Sequence, residues 1–173
     1  MDNKDPYIYR IRSIHKVVDG DTIDADIDLG FDISLTKRIR LAGVDTPESR
    51  TADANEKKYG LESKEWLKHR CENAKNILIK TELPDSTEKY GRIIGHLFIN
   101  DQDTSLNEQM IVRNILLRLT EFGEGTEDTR RRASFDELLS HTTDAEHVRS
   151  VLSKLADARL ITLGENTAEV AHE

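Results

Sequence analysis

The stretch Thr22-Ile-Asp-Ala-Asp-Ile-Asp28 alternates apolar residues with aspartates. A period of two is typical of a β-strand that buries one face and exposes the other. The segment Asp19-Gly20-Asp21 precedes it as a turn, and the Ile-, Tyr- and Val-rich segment Tyr7–Val18 comes before that turn. The sequence therefore begins with a predicted pair of strands.

Further predicted elements follow this pair. A third strand, Ser34–Val44, must stop near Pro47, because proline cannot donate to a strand ladder. Apolar residues then recur at helical spacing, and Ser105–Glu108 has the form of a capping box that opens another helix. The remaining predicted elements are a helix at Tyr59–Lys75 and strands at Asn76–Glu82 and Arg92–Ile99. The order of three strands, a helix, two strands and a helix predicts an α+β fold containing a five-stranded β-barrel of the oligonucleotide-binding (OB) type.

Composition limits the classes of protein to consider. The chain has 173 residues, a net charge of −8 and 34% charged residues, which suits one domain or two small ones. The acidic balance argues against a protein that coats DNA non-specifically. The single Cys71 excludes an internal disulfide, and no apolar run reaches the roughly 18–20 residues of a membrane-spanning helix. Because no signal peptide is visible, we expect a cytoplasmic location, or secretion if a signal was removed.

Several polar side chains fall at the ends of the predicted strands. Asp21 ends the first turn, Asp45 and Glu48 follow the third strand, Arg40 lies on it, and Arg92 begins the fifth. Carboxylate oxygens suit a hard cation such as Ca²⁺, and the planar guanidinium of arginine suits phosphate. This combination is typical of phosphodiester hydrolysis. The row Asp24, Asp26 and Asp28 indicates a solvated strand face more than a second cation site.

Three motifs occur in a recognisable order: Val17-Val-Asp-Gly-Asp-Thr22, Arg40-Leu-Ala-Gly-Val-Asp-Thr-Pro-Glu48 and Glu88-Lys-Tyr-Gly-Arg92. Over residues 8–113 the chain resembles the staphylococcal nuclease-like (thermonuclease) family. The resemblance implies that Ca²⁺ is bound by Asp21, Asp45 and the main-chain carbonyl of Thr46. It implies catalytic roles for Arg40, Glu48 and Arg92. It also implies that Lys89 and Tyr90 contact a phosphate of the bound nucleotide.

The function implied is a calcium-dependent nuclease that hydrolyses DNA and RNA in single-stranded or frayed form. Arginines would clamp the phosphate and the glutamate would position water. The alternative is a nuclease-like binding or regulatory module without significant catalysis. It is motivated by the loss of the family pattern after Arg113, where aromatic residues and a third helix are expected.

Residues 114–173 predict a separate, small α+β module. Capping boxes at Ser134–Glu137 and Thr143–Glu146 each open a helix, and segments 159–163 and 167–171 read as a hairpin. This outline resembles the winged-helix module of STAND-class signal-transduction NTPases, and it stops short of the full family length. The predicted domains are therefore 1–113 and 114–173.

The sequence alone assigns neither the origin nor the partner of this second module. No Gly-x-x-x-x-Gly-Lys-[Ser/Thr] motif occurs, so the ATPase core of STAND proteins is absent from this sequence. The chain is either a natural two-domain protein or a shortened or mis-joined fusion. The arginines at 130–132 would be the phosphate contacts of a DNA-binding wing. Against this, residues 113–173 carry a net charge of −4 and the predicted recognition helix carries Asp144, Glu146 and Asp157, so a protein partner is the alternative.

Overall fold

In the computed structural model, which describes residues 7–81, 91–121, 129–139 and 144–171, the alternating stretch is a strand. Strand β2 runs Thr22–Gly30 and buries Ile23, Ala25 and Ile27 while its aspartates stay partly exposed. The other strands of the first unit lie within one or two residues of their predicted bounds, apart from the end of the third. They are β1 (Ile8–Asp19), β3 (Ile33–Leu41), β4 (Ile77–Thr81) and β5 (Ile93–Ile99).

These five strands close into a barrel in the order β1-β2-β3-β5-β4, and β1 pairs again with β4. All the pairs are antiparallel except β3 with β5, which run parallel with Ile39 opposite Ile93. The inward side chains form a fully buried core that includes Ile23, Ile79 and Leu97. The predicted OB-type barrel is confirmed.

One helix, α1 (Ala54–Glu72), lies between β3 and β4. It begins five residues before the predicted start, because the Asp53 carboxylate accepts a hydrogen bond from the Glu56 N–H at 2.9 Å and caps the first turn. Leu67 is fully buried and Cys71 nearly so, so this stripe of the helix packs inward. Burial raises the pKa of the Cys71 thiol to about 11, which keeps it protonated and unreactive near neutral pH.

The described residues form two compact units that meet in sequence between Asn107 and Glu108. The second unit is α+β, as predicted. Three of its strands form one small sheet, in the order Ala133–Ser134, Thr167–Val170 and Ile161–Leu163. The winged-helix assignment and the domain ranges 1–113 and 114–173 stay predictions. The remaining elements are α2 (Leu106–Arg118), β6 (Thr120–Glu121), β7 (Thr129–Arg130), β8 (Ala133–Ser134), α3 (Phe135–Leu139), α4 (Ala145–Asp157), β9 (Ile161–Leu163) and β10 (Thr167–Val170).

The two capping boxes predicted in the second unit differ in outcome. The Ser134 hydroxyl accepts the Glu137 N–H at 3.2 Å at the start of α3, as predicted. Helix α4 is capped by Asp144, whose carboxylate accepts the His147 N–H at 2.9 Å. The prediction that Thr143 opens this helix is therefore wrong by one residue, because the N-cap position belongs to the aspartate. Thr143 itself lies outside the described residues.

Among the described residues, none of the helices is long and apolar enough to cross a bilayer.

Candidate functional site

The turn after β1 and the loop after β3 meet at one end of the barrel. The hairpin register pairs Thr22 with Arg40, and the Leu41 N–H donates to the Asp21 carbonyl at 2.8 Å. The Thr46 N–H in turn donates to the Asp21 carboxylate at 3.2 Å. Residues 18 to 25 positions apart in the chain are thereby fixed against each other.

Asp21 is a buried carboxylate, with 4% of its surface exposed. Its Oδ1 accepts the Thr22 hydroxyl at 2.7 Å, and its Oδ2 lies 3.4 Å from Nη2 of Arg40. A buried charge is tolerated only where polar partners surround it, and here a hydroxyl, an amide and a guanidinium do so. The carboxylate is therefore held in one orientation.

Arg40 joins two carboxylates. The same Nη2 that faces Asp21 lies 2.8 Å from Oδ1 of Asp45, whose side chain is half exposed, whereas the Arg40 side chain is only 20% exposed. The structure thus brings together Asp21, Arg40 and Asp45 from three different positions of the chain. A phosphate that binds Arg40 bidentately has to replace these carboxylates as its partner.

The donor set of this site fits a hard cation. The Asp21 and Asp45 carboxylates approach one guanidinium, and Thr46, next in the chain, has a buried hydroxyl with no hydrogen-bond partner. Among the described residues, no three His, Cys, Asp or Glu side chains gather into a metal cluster. A Ca²⁺ ion takes six to eight oxygens, so carbonyl and water oxygens would have to complete the set.

Glu48 lies on the same loop with an exposed side chain. Partial burial, followed by the negative charges of Asp19 and Asp21, raises the pKa of its carboxyl above the ordinary value, and Arg40 acts in the opposite direction. The Ser49 hydroxyl donates to the Asp19 carboxylate and so ties this loop to the end of β1. A carboxyl group with a raised pKa suits the role of a general base.

Helix α1 fixes the position of this loop through a glycine. A Cβ on Gly60 would lie 2.6 Å from the Pro47 carbonyl oxygen and 2.7 Å from backbone atoms of Glu48 and Ser49. No side chain fits between the helix and the loop. Gly60, which was not among the predicted site residues, is therefore the residue that lets the helix backbone touch the Glu48 segment.

We expect Gly60→Ala to destabilise the first unit, although the same exchange in an open helix stabilises by about 1 kcal/mol. The added methyl group meets backbone atoms, and overpacking of this kind costs about 1–3 kcal/mol. Urea unfolding followed by Trp66 fluorescence measures the change. The control is Leu61→Ala, at the next and exposed position of α1, which should change the free energy of unfolding by no more than about 0.5 kcal/mol. Equal stability of the two variants would contradict the contact.

The parallel pairing of β3 with β5 sets the position of the second arginine. Arg40 lies opposite Ile94, and Arg92 precedes Ile94 by two residues, which places Arg92 on the same outward face as Arg40. Arg92 is half-buried. Lys89 and Tyr90 lie outside the described residues, so their predicted phosphate contact stays a prediction.

Asn107 is a buried residue at the start of α2 for which no role was predicted from the sequence. Its amide nitrogen donates to the carbonyls of Ala42 and Gly95 at 2.8 and 3.1 Å, and its oxygen accepts the Leu97 N–H at 3.0 Å. One side chain thereby ties β5 to the segment that leads from β3 to Asp45. Its neighbours in the sequence, Leu106 and Glu108, carry no signal of this role.

The aspartate row on β2 is paired across the sheet. Asp24 accepts two hydrogen bonds from Arg38 at 2.7 and 2.9 Å, and Asp28 lies 3.6 Å from Arg12. Asp26 accepts the Thr36 and Ser13 hydroxyls and faces His15 at 2.9 Å. These contacts, led by the Thr36 hydroxyl, lower the pKa of Asp26 to about 2. The row is a hydrogen-bonded strand face, in agreement with the non-metal interpretation.

Two arginines of the second unit hold its own elements together. Arg131 binds the Glu137 carboxylate at 2.5 and 3.0 Å, and Arg132 binds Glu169 at 3.0 Å. These two side chains are engaged inside the unit, which weakens their interpretation as phosphate contacts. The DNA-binding and protein-binding interpretations of this unit both stay predictions.

Barrel and site together define a class, the small OB-type barrels that carry carboxylates and arginines at their strand ends. The family model described as staphylococcal nuclease homologue matches residues 38–134, more than half of the chain, and the chain belongs to this family. A second model, described as Novel STAND NTPase 1, matches residues 100–173. Both predicted resemblances are thereby confirmed, and the two matches share residues 100–134.

Individual relatives agree with the family. A thermonuclease of Staphylococcus intermedius is 34% identical over 89 residues, which cover 51% of this chain and 49% of that protein. The uncharacterized protein MJ1439 of Methanocaldococcus jannaschii is 28% identical over 108 residues, which cover 53% of this chain and 50% of that protein. The chain spans about half the length of each of these relatives.

Proposed function

We propose that the first unit is a Ca²⁺-dependent nuclease that hydrolyses phosphodiester bonds of DNA and RNA. The observation that carries this proposal is that the carboxylates of Asp21 and Asp45 both approach the same nitrogen, Nη2, of the Arg40 guanidinium. The name of the staphylococcal relative, thermonuclease, supports the reaction class. Cytoplasmic action on single-stranded or frayed substrates belongs to the same proposal.

In the proposed reaction Arg40 exchanges its carboxylate partners for two phosphate oxygens and stabilises the charge that develops there. Arg92, directly before β5, holds the phosphate from a second direction. Glu48 orients a water molecule and accepts its proton as the water attacks phosphorus. The P–O bond to the leaving sugar breaks, and the sugar oxygen takes a proton from solvent water. Ca²⁺, held by Asp21, Asp45 and the Thr46 carbonyl, would supply positive charge beside the reacting phosphate. Lys89 and Tyr90 would contact a terminal phosphate.

The direct test is cleavage of single-stranded DNA by the purified chain, with Ca²⁺ or with a chelator. We expect cutting that requires Ca²⁺ and that falls at least about a hundredfold in Glu48→Gln, which cannot accept the proton. Glu62→Gln, at an exposed position of α1 whose charge is not among those acting on Glu48, is the matched control and should cut as the wild type does. If DNA is bound but never cut, the proposal of catalysis is wrong and the binding module is supported.

The acidic limb of the pH profile should depend on Asp19. A general base works when deprotonated, so kcat/KM should rise with pH through the raised pKa of Glu48. Asp19→Asn removes one of the charges that raise this pKa and retains an acceptor for Ser49. The limb should therefore move to lower pH in this variant.

Asp103→Asn, an exposed acid that is not among the charges acting on Glu48, serves as the control and should leave the limb in place. The measurement is kcat/KM for the wild type and both variants at pH values from 4 to 8. A limb that stays fixed in Asp19→Asn would show that another group controls it.

A further inference from the structure

A groove of about 650 Å³ lies between β1 and α1, outside the Asp21–Arg40 site. One wall is the continuous stretch Arg10–Val17 of β1, and the other is the C-terminal half of α1 with the residues that follow it. The pairing of β1 with β4 ends at Arg10, so the groove follows the edge of β1 beyond that point. Buried Ile11, Cys71 and Ile77 are among its apolar lining residues.

The lining of this groove is strongly basic. Six of its side chains are lysine or arginine, and only two, Glu65 and Glu72, are acidic. This local excess of positive charge stands out in a chain whose net charge is −8. The basic residues are Arg10, Arg12, Lys16, Lys64, Lys68 and Lys75.

Most of this charge is available to a ligand. Arg12 lies 3.6 Å from Asp28 and Lys68 lies 3.2 Å from Glu65, and both basic side chains are nearly half exposed. The other four basic residues form no ion pair with a carboxylate among the residues that the structure describes, although Lys16 lies opposite Asp24 in the β1–β2 pairing. A net excess of positive charge of this kind attracts a polyanion by releasing its counterions.

The groove begins beside the candidate site. A Cβ on Gly20, in the turn that carries Asp21, would lie 2.6 Å from Cβ of Ser63, and Lys64 is the next residue of α1. Val17, at the same end of the groove, is two residues before Asp19. From there to Arg10 the β1 wall extends roughly 23 Å, at about 3.3 Å per residue.

We propose that this groove binds the sugar–phosphate backbone of the nucleic-acid strand that flanks the phosphodiester held at Asp21 and Arg40. The inference rests on the proposed function and adds a binding track to it. A groove of this length can contact several consecutive phosphates of one strand. Lysine and arginine heads make contacts of this kind without reading the base sequence. Because of these additional contacts, the enzyme should prefer a longer strand as its substrate.

The test measures binding of a fluorescein-labelled 20-nucleotide single-stranded DNA in chelator, where no cleavage intervenes. The double variant Lys16→Gln/Lys64→Gln removes one charge from each wall. The control, Lys37→Gln/Lys58→Gln, removes one strand lysine and one α1 lysine that do not line the groove. We expect Kd to rise about tenfold in the groove variant, and the slope of log K against log salt to fall by about 1.4, which is about 0.7 for each lost contact. The control should match the wild type.

Cleavage separates the two proposals. With Ca²⁺, the groove variant should show a raised KM for the 20-nucleotide strand and an unchanged kcat/KM for a dinucleoside monophosphate, which has no flanking phosphate to place in the groove. Unchanged Kd and slope in the groove variant, with normal wild-type cleavage, would overturn the groove and leave the nuclease intact. Weaker binding in the groove variant alone, with no cleavage by any protein, would support the groove and overturn the nuclease. Equal competition by a polyglutamate peptide would reassign the groove to acidic proteins.

Discussion

Arg40→Ala is expected to lower kcat for DNA cleavage by about 10²–10³-fold, the usual cost of removing one preorganised donor to developing charge. The guanidinium is anchored at the junction of two loops, 2.8 Å from Asp45 and 3.4 Å from Asp21. Alanine provides no donor to the phosphate oxygens that Arg40 is proposed to contact. Initial rates at saturating substrate measure the effect.

The matched control for this experiment is Arg38→Ala. Arg38 lies two residues earlier on β3 and is bound to Asp24 instead of the site carboxylates. It should cleave as the wild type does. Cleavage by Arg40→Ala at the wild-type rate would remove Arg40 from the proposed mechanism.

Calcium binding gives a second readout on Arg40. Because Arg40 competes with any cation for Asp21 and Asp45, the alanine variant should bind Ca²⁺ at least as tightly as the wild type. Calorimetric titration without substrate measures this directly. Loss of both cleavage and calcium binding would indicate a collapsed site and not a lost phosphate clamp.

Asn107→Ala is expected to lower the free energy of unfolding of the first unit by about 2–4 kcal/mol. The substitution removes three hydrogen bonds at a residue that is 1% exposed, and it leaves the Leu97 N–H and the Ala42 carbonyl without their partner. A buried polar group left without a partner costs about 1–3 kcal/mol. Such a loss is a large share of the stability of a small domain.

Urea unfolding followed by the fluorescence of Trp66, the single tryptophan, measures this change within the first unit. The control is Asn73→Ala, because the Asn73 amide makes one exposed hydrogen bond, to the His69 carbonyl at 2.8 Å. That variant should lose less than about 1 kcal/mol. An unfolding midpoint for Asn107→Ala that equals the control would show that the three bonds do not hold the barrel.

The barrel could be predicted because each strand carries its own local signal. The alternation in Thr22–Asp28 and the stop at Pro47 depend only on neighbouring residues. The β2–β3 register, which brings Asp21 close to Arg40, could not be predicted from this pattern, because alternation alone does not say which residues pair. The position of Arg92 relative to Arg40 could not be predicted either, because it depends on a parallel pairing of distant strands.

Other features escaped prediction because they depend on tertiary contacts. The pairing of Asp24 with Arg38 needs the strand register, and the contact of Gly60 with the Glu48 segment needs the docked helix. The role of Asn107 needs three carbonyl and amide groups brought together by folding. The one-residue error at Asp144 reflects two adjacent residues that both favour the N-cap position.

The parallel pairing of β3 with β5 also determines when the site can form. Ile39 meets Ile93 only after α1 and β4 have been made, so closing the barrel carries a loop-closure cost that local contacts do not. The β2–β3 hairpin that brings Asp21 and Arg40 together is complete in sequence before α1, whereas Arg92 takes its place only when β5 joins the barrel. In a chain leaving the ribosome, the proposed pair of arginines is therefore complete only after the last strand of the barrel has been inserted.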